Sequence, residues 1–452
     1  MSRLLGPSGL GLFNLVQTTA QTFELTARLG VDYGLSCALT GPGADSLERQ
    51  QILVFSGLRL VQLHACLLSA FLWIWTFLFS GLFPVVLPVD RGVAITSLIL
   101  ISISEALAGL PWDLFLISGN TRLVALRQAL FAPLKLLGAT LGAWFWGALG
   151  ALVAYVFISG VQALWLQWRC LPLLPSSRHW HPNWTAAFSL VKMGMPLFAS
   201  NAVASVIFLP LLAGVARTHG IAEVGYLRVG QIIVQIFTLL PGALAPLLFL
   251  RLRRSAQAPQ AAYESELSLR LIWCLGLCSL FFYMAVDNSL VSYFFGVKFL
   301  PALQPTRLLV LVAVLESVGQ VLHTPLLAAR RSVLYAFGQN IPAIAAAVVG
   351  WIFIPRMGLD GLLLAKLLCA IGPVVIYLGE AWPRYQSQAS VARLAVITLA
   401  IAPLCWFPHS AGVWVQFALG FVLLLLACEV WALRQGLLSM VPQRLMRLGD
   451  PR

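Results

Sequence analysis

Six polar residues recur at intervals of three and four in a stretch that is otherwise apolar or small: Asn14, Gln17, Gln21, Glu24, Arg28 and Asp32. On an α-helix that spacing draws a single polar stripe. The stripe either lines a wet cavity or packs against neighbouring helices, with Glu24, Arg28 and Asp32 neutralising one another at i,i+4. A second set, Arg228, Gln231, Gln235 and Thr238, has the same spacing as positions 14, 17, 21 and 24. Two matching stripes suggest two walls of one cavity. A further stripe, Glu316, Gln320 and His323, has spacings of four and three and is suited to holding a proton or a cation, or to an interhelical hydrogen-bond network. Glu24 and Asp32 are candidates for the same ion-coupling role.

Four cations fall inside apolar runs: Arg28, Arg59, Lys135 and Lys366. A charge at the centre of a bilayer costs about 2.5–3.5 kcal/mol on insertion scales, so it faces a cavity or a partner, or snorkels to the surface. The guanidinium fork matches phosphate oxygens bidentately, which ranks Arg28 and Arg59 first as anion ligands, then Lys135 and Lys366. Snorkelling is the competing reading for Arg59 and Lys366. Glu105 and Asp113 share a helical face if Pro111 between them leaves the helix regular. Glu429 stands alone in the last apolar run.

The elements that must position these groups are membrane helices. Of 452 residues, 60% are hydrophobic and only 10% charged, against about 25% charged in an average soluble domain. That excludes a soluble enzyme, a disordered chain and a coiled coil. Apolar runs place helices near 11–40, 52–80, 92–117, 123–146, 148–170, 186–215, 222–250, 266–294, 304–328, 332–354, 358–380, 391–406 and 412–433. Prolines at 196, 210, 241, 246, 325, 342, 373 and 403 mark bends or hinges. Tryptophans cluster near span ends, as an interfacial belt does. The eight cysteines lie in or beside apolar runs, with no CxxC and no Cys/His cluster, and read as packing residues. Nothing specifies a metal or an organic cofactor, and no basic-aromatic segment supports nucleic-acid binding.

Thirteen spans make the loops alternate in side. Of 29 basic residues, four lie in the spans, seven (Arg3, Arg91, Arg217, Arg228, Lys298, Arg307 and Arg356) fall in one loop set, and the other eighteen fall in the opposite set. The positive-inside rule makes the richer side cytoplasmic, with the C-terminus inside and Met1 outside.

The chain also repeats internally. Residues 6–25 align without gaps to 220–239, with Gly6/Gly220, Gly11/Gly225, Gln17/Gln231, Gln21/Gln235, Phe23/Phe237 and Leu25/Leu239 identical. Gly147-x-x-Gly150-x-x-x-Ala154 is echoed by Gly358-x-x-Gly361-x-x-x-Ala365 at nearly the same offset. Two similarly oriented repeats predict two lobes about an axis along the membrane normal, with a substrate path between them.

The segments GPSGLGLF, ARLGVD and AEVGYLRVGQ resemble the polysaccharide flippases, the O-antigen and exopolysaccharide transporters of the multidrug/oligosaccharidyl-lipid/polysaccharide exporter superfamily. YFFGVKFLPALQPTRLLVLVAV and the helices after it are similar to the later part of that family. The resemblance spans nearly the whole chain. It implies an all-α polytopic protein of the bacterial inner membrane. Its N-terminal lobe would cover 1–171, a cytoplasmic linker 172–185, a C-terminal lobe 186–382, an extra helix pair 383–434 and a cytoplasmic tail 435–452. Because LLGPSGLG resembles the loop after the family's first helix, that helix is expected to be missing from this chain.

The activity implied is alternating-access flipping of a lipid-diphosphate-linked oligosaccharide, without covalent chemistry. Membrane lipids and other polysaccharide-assembly proteins are the expected partners. Arg28, Arg59, Lys135, Lys366, Arg228, Gln17, Gln21, Gln231 and Gln235 would contact the substrate. The alternatives are a cation-coupled multidrug exporter of the same superfamily and a membrane polymerase or glycosyltransferase. The short outside loops argue against an enzyme, and the balance of deep acids by bases argues against a cavity for cationic drugs.

Overall fold

The computed structural model describes residues 1–40, 47–78, 91–117, 120–171, 182–254, 259–328, 331–385 and 388–406. The helix expected at 412–433 with Glu429, the tail expected at 435–452, and residues 172–181 of the expected linker lie outside them. The described chain is all-helical: α1 (Ser2–Arg28), α2 (Val31–Thr40), α3 (Leu47–Leu78), α4 (Arg91–Ile117), α5 (Thr121–Cys170), α6 (Trp184–Thr218), α7 (Ile221–Arg254), α8 (Pro259–Phe294), α9 (Leu303–Ala328), α10 (Ser332–Met357), α11 (Leu359–Ala381) and α12 (Gln388–Trp406). Eight helices among the described residues are long and apolar enough to cross a membrane.

One helix boundary corrects the sequence reading. The single helix expected over 11–40 is broken at Leu29 (φ 49°) and Gly30 (φ 74°), which separates α1 from α2. The cause is tertiary: a methyl at Gly30 would lie 3.0 Å from the Gly194 carbonyl carbon, and one at Gly194 would lie 1.9 Å from the Gly30 carbonyl oxygen. Only a chain without side chains at both points lets α6 approach this closely. The helices expected at 123–146 and 148–170 are the two arms of α5, divided where Trp146 and Gly147 (φ 62°) leave helical geometry. Asn120 and Asn183 start α5 and α6 by accepting the amide hydrogens of Leu123 and Ala186 on their side chains.

The chain divides into two compact units. The first comprises Met1–Arg228 and Gly350–Leu362, the second Val229–Val349 and Leu363–Arg452. In the first, the two sequence repeats meet head to head. A methyl at Gly11 would lie 2.0 Å from the Ile221 carbonyl oxygen, and one at Gly225 would lie 2.0 Å from the Pro7 carbonyl oxygen. At the repeat offset, Gly11 matches Gly225 and Pro7 matches Ile221, so the contact exchanges equivalent residues. Gly6 and Gly220, one residue ahead of each carbonyl, both have positive φ (65° and 99°). The second echo behaves alike. Gly147 and Gly358 both turn the chain at positive φ, and the glycine three residues on presses against the preceding helix, Gly150 on Gly142 and Gly361 on Phe353. Lipid tails are as apolar as leucine, so such backbone approach is a main source of helix association in a membrane.

The second unit is fastened differently. The indole Nε1 of Trp273 on α8 donates to Thr398 Oγ1 on α12 at 2.8 Å. Asp287 on α8 and Arg307 on α9 form a buried ion pair, with the Arg307 Nε donating to Asp287 Oδ2 at 2.5 Å. Arg307 was counted with the loop cations; its place one turn inside α9 puts it against the acid at the end of α8.

Candidate functional site

The polar stripe of α1 is organised around Arg28. Its guanidinium is hydrogen-bonded to Glu24, one turn back. Its Nη1 donates to Asp113 of α4 at 3.1 Å and lies 3.8 Å from Asp32, the first-turn acid of α2. Three carboxylates therefore hold one cation across the α1–α2 break. Room for the guanidinium comes from Gly109, where a methyl would lie 1.8 Å from Arg28 Nη2. Glu105, Gly109 and Asp113 are spaced by four, and α4 runs on through Pro111, so the glycine is a notch between two acids on one helical face. The shared face of Glu105 and Asp113 is legible in the sequence; the glycine midway between them is the further signal.

Glu105 takes the second cation. Lys135 Nζ on α5 donates to Glu105 Oε1 at 2.5 Å, and Ser159, on the same helix after its kink, donates to the same oxygen at 2.9 Å. The ammonium also stands 4.9 Å from the centre of the Tyr155 ring. The Tyr155 hydroxyl accepts from Gln17 Nε2 at 3.3 Å, and Gln17 Oε1 accepts from Arg228 Nη2 at 2.8 Å. Asn14 Nδ2 reaches the Val224 carbonyl oxygen at 3.4 Å, tying the same two helices. The network thus runs from Arg228 through Gln17, Tyr155 and Lys135 to Glu105. Arg127, placed in a loop by sequence, lies over the Trp112 ring at 4.2 Å and close enough to Glu24 to interact electrostatically.

Four cations (Arg28, Arg127, Lys135, Arg228) face four acids (Glu24, Asp32, Glu105, Asp113), but the pairing is uneven. Arg28 and Lys135 take up all four carboxylates. Arg127 and Arg228 make no carboxylate ion pair among the described residues. Arg228 is half-buried and engages the neutral Gln17 side chain. A desolvated guanidinium with neutral partners keeps most of its attraction for an incoming anion.

The other sequence-selected residues stand apart from this network. Gln21 is exposed, on the same helix. Arg59 is exposed on α3, where its Nη1 donates to Gln62 Oε1 at 3.2 Å and its guanidinium stacks 5.3 Å from the Phe55 ring. Gln231, Gln235, Glu316, His323 and Lys366 belong to the second unit. There Gln231 has a buried Oε1 without a hydrogen-bond partner and Gln235 is exposed. The α9 stripe splits: Glu316 and Gln320 are exposed, Glu316 within electrostatic reach of Lys366, while His323 turns edge-on to the rings of Tyr335 (5.0 Å) and Tyr377 (6.1 Å). Tyr155, Ser159, Gly109, Trp112 and Arg127 are the network members that sequence reading missed.

No protein-family model and no curated protein matches the chain. Solved structures do. One is the lipid II flippase MurJ in an inward closed conformation (TM-score 0.67, 12% identity, covering 96% of this chain and 98% of that one). Another is an inward-facing multidrug resistance MATE family transporter of the MOP superfamily (TM-score 0.60, 13% identity, 88% and 95% covered). A third is a MOP superfamily transporter from Pyrococcus furiosus, described as having a binding pocket of reversed polarity (TM-score 0.58, 14% identity, 87% and 89% covered). At these identities the likeness is one of fold. The chain is a multi-pass membrane protein with the fold shared by MurJ and the MATE transporters.

Proposed function

We propose that the protein is a membrane transporter that flips a lipid-diphosphate-linked oligosaccharide across the bacterial inner membrane for polysaccharide assembly, with its C-terminus in the cytoplasm. The observation that carries this reading is Arg228: a half-buried guanidinium hydrogen-bonded to the neutral Gln17, with no carboxylate ion pair among the described residues. A diphosphate leaving water needs such a fork, and Gln17 and Tyr155 beside it offer hydrogen bonds suited to sugar hydroxyls. The likeness of fold to a flippase of a lipid-linked substrate supports the same class of cargo. Arg28 and Lys135 then hold the network in shape, and Glu24 and Asp32 around Arg28 are placed to accept a coupling proton or cation. Glu316 and His323 are the corresponding candidates in the second unit.

The test is export. Arg228→Gln in a producing cell should abolish surface glycan and accumulate the lipid-linked precursor, while Arg228→Lys keeps part of the output. Undiminished glycan from Arg228→Gln would sink the assignment. A second reading, cation-coupled export of cationic drugs, draws on the carboxylates around Arg28 and on the MATE structures of like fold. Drug resistance conferred by the protein, with no effect on glycan, would favour it.

A further inference from the structure

Two backbone carbonyls beside the ion network have lost their helical donors. Pro111 has no N–H, so the carbonyl of Leu107, one turn back on α4, cannot be met within its own helix. Leu29 ends α1 in the left-handed conformation, and the Ala27 carbonyl receives no backbone amide among the described residues. Each break falls between two of the acids that the cations hold. The one after Ala27 separates Glu24 from Asp32, and the one at Pro111 separates Glu105 from Asp113.

Side chains from other helices meet both carbonyls. The Nδ1 of His64 on α3 lies 3.0 Å from the Ala27 carbonyl oxygen. A carbonyl oxygen only accepts, so Nδ1 carries the hydrogen. Gln167 Nε2 on α5 donates to the Leu107 carbonyl oxygen at 2.7 Å, and Gln167 Oε1 accepts from Gln62 Nε2 on α3 at 3.3 Å. Alanines make the crossing close enough for the first of these bonds: Ala27, Ala65 and Ala106, from α1, α3 and α4, form one buried cluster. What the caps control is the spacing of charges. Arg28 leaves α1 one residue after Ala27 and reaches Asp32 past the first break and Asp113 past the second. Helices bend at such points. A swing at either would carry one carboxylate away from the guanidinium while leaving Glu24 bonded to it.

We propose that His64 and Gln167 are positioning residues of the site: by capping the Ala27 and Leu107 carbonyls they fix the two backbone breaks across which Arg28 gathers its carboxylates. Neither touches the cage acids; each acts through the backbone that carries them. Its consequence for transport rests on the flippase reading, and its consequence for stability rests on the geometry alone.

The test uses the full chain. His64→Leu and Gln167→Met fill the space without a donor, whereas His64→Asn keeps one, because its amide nitrogen stands where the imidazole Nδ1 does. In a producing cell with graded supply of the lipid-linked precursor, His64→Leu and Gln167→Met should each lower maximal glycan output on the order of ten-fold, the factor that one unmet buried hydrogen bond carries. The half-saturating supply should not change, since Arg228 is untouched. His64→Asn should restore most of the output, at equal abundance by immunoblotting of membranes. In detergent, His64→Leu should lower the unfolding temperature, and the loss should shrink in the Arg28→Gln background, where no guanidinium is left to position. Wild-type output from both donor-free variants, a His64→Asn no better than His64→Leu, or losses that add in full with Arg28→Gln would each overturn the proposal. If His64→Leu does not reach the membrane, Gln167→Met carries both arms. If Arg228→Gln leaves export intact, the flippase reading falls, and the detergent cycle alone decides this one.

Discussion

Replacing Arg28 by Gln leaves three carboxylates facing one another with no cation between them. The side chains concerned are poorly exposed, 17% for Arg28 and Glu24, 13% for Asp32 and 26% for Asp113. At an effective dielectric constant of about 20, each contact near 3.5 Å carries roughly 4–5 kcal/mol of gross attraction, most of it offset by desolvation. Losing one partner of a buried pair leaves the desolvation cost uncompensated, at about 3–5 kcal/mol. Arg28→Gln should therefore unfold more readily in detergent by an amount in that range. Asp113→Asn alone should also destabilise, since it removes one of the acids that hold Arg28. The two together should be milder than their sum, with a coupling on the order of 1–3 kcal/mol. Export assays separate the roles: if Arg28 organises the network and Arg228 meets the anion, the double variant regains stability and keeps flux. Additive losses of stability would refute the ion cage. A stable double variant with no flux would return the anion-binding role to Arg28.

Three further outcomes follow from the packing. Gly225→Ala gains about 1 kcal/mol of helix propensity, but its methyl meets the Pro7 carbonyl oxygen at 2.0 Å; overpacking of about 1–3 kcal/mol should win, and thermal unfolding should shift downward. Asp287→Asn should destabilise the α8–α9 pair by about 3–5 kcal/mol, more than Arg307→Met made together with it, as a double-mutant cycle on thermal stability would register. Tyr155→Phe removes the hydroxyl that accepts from Gln17. It should lower export while leaving membrane abundance near wild type, which immunoblotting of membranes beside a glycan assay checks.

The helices were legible because apolar runs of span length, punctuated by glycine, proline and charge, have few other solutions in a membrane. The stripe was legible too, since five of its six members make the contacts of the site at the expected spacing: Asn14, Gln17, Glu24, Arg28 and Asp32. The break at Leu29–Gly30 was not. ARLGVD carries one glycine and no proline, and the polar periodicity runs on to Asp32. Only the glycine of α6 pressed against it, 164 residues away, sets the left-handed turn. Arg127 and Arg307 were assigned to loops because each stands within a turn or two of a helix start. Whether such a cation points to water or inward depends on what faces it, here Trp112 and Asp287. Tyr155 and Ser159 gave no signal because single hydroxyls in an apolar helix are ordinary until a neighbour's polar group is known. The pairing of cations with acids, which leaves Arg127 and Arg228 without a carboxylate ion pair among the described residues, is a tertiary property throughout.

The crossing of α1 and α7 at Gly11 and Gly225 is an isologous contact inside one polypeptide. Each partner presents the same notch and an equivalent carbonyl, so the backbone contact is self-complementary, as in a two-fold interface. A substitution at either glycine breaks half of a matched pair, and compatible changes must arrive in both repeats at once.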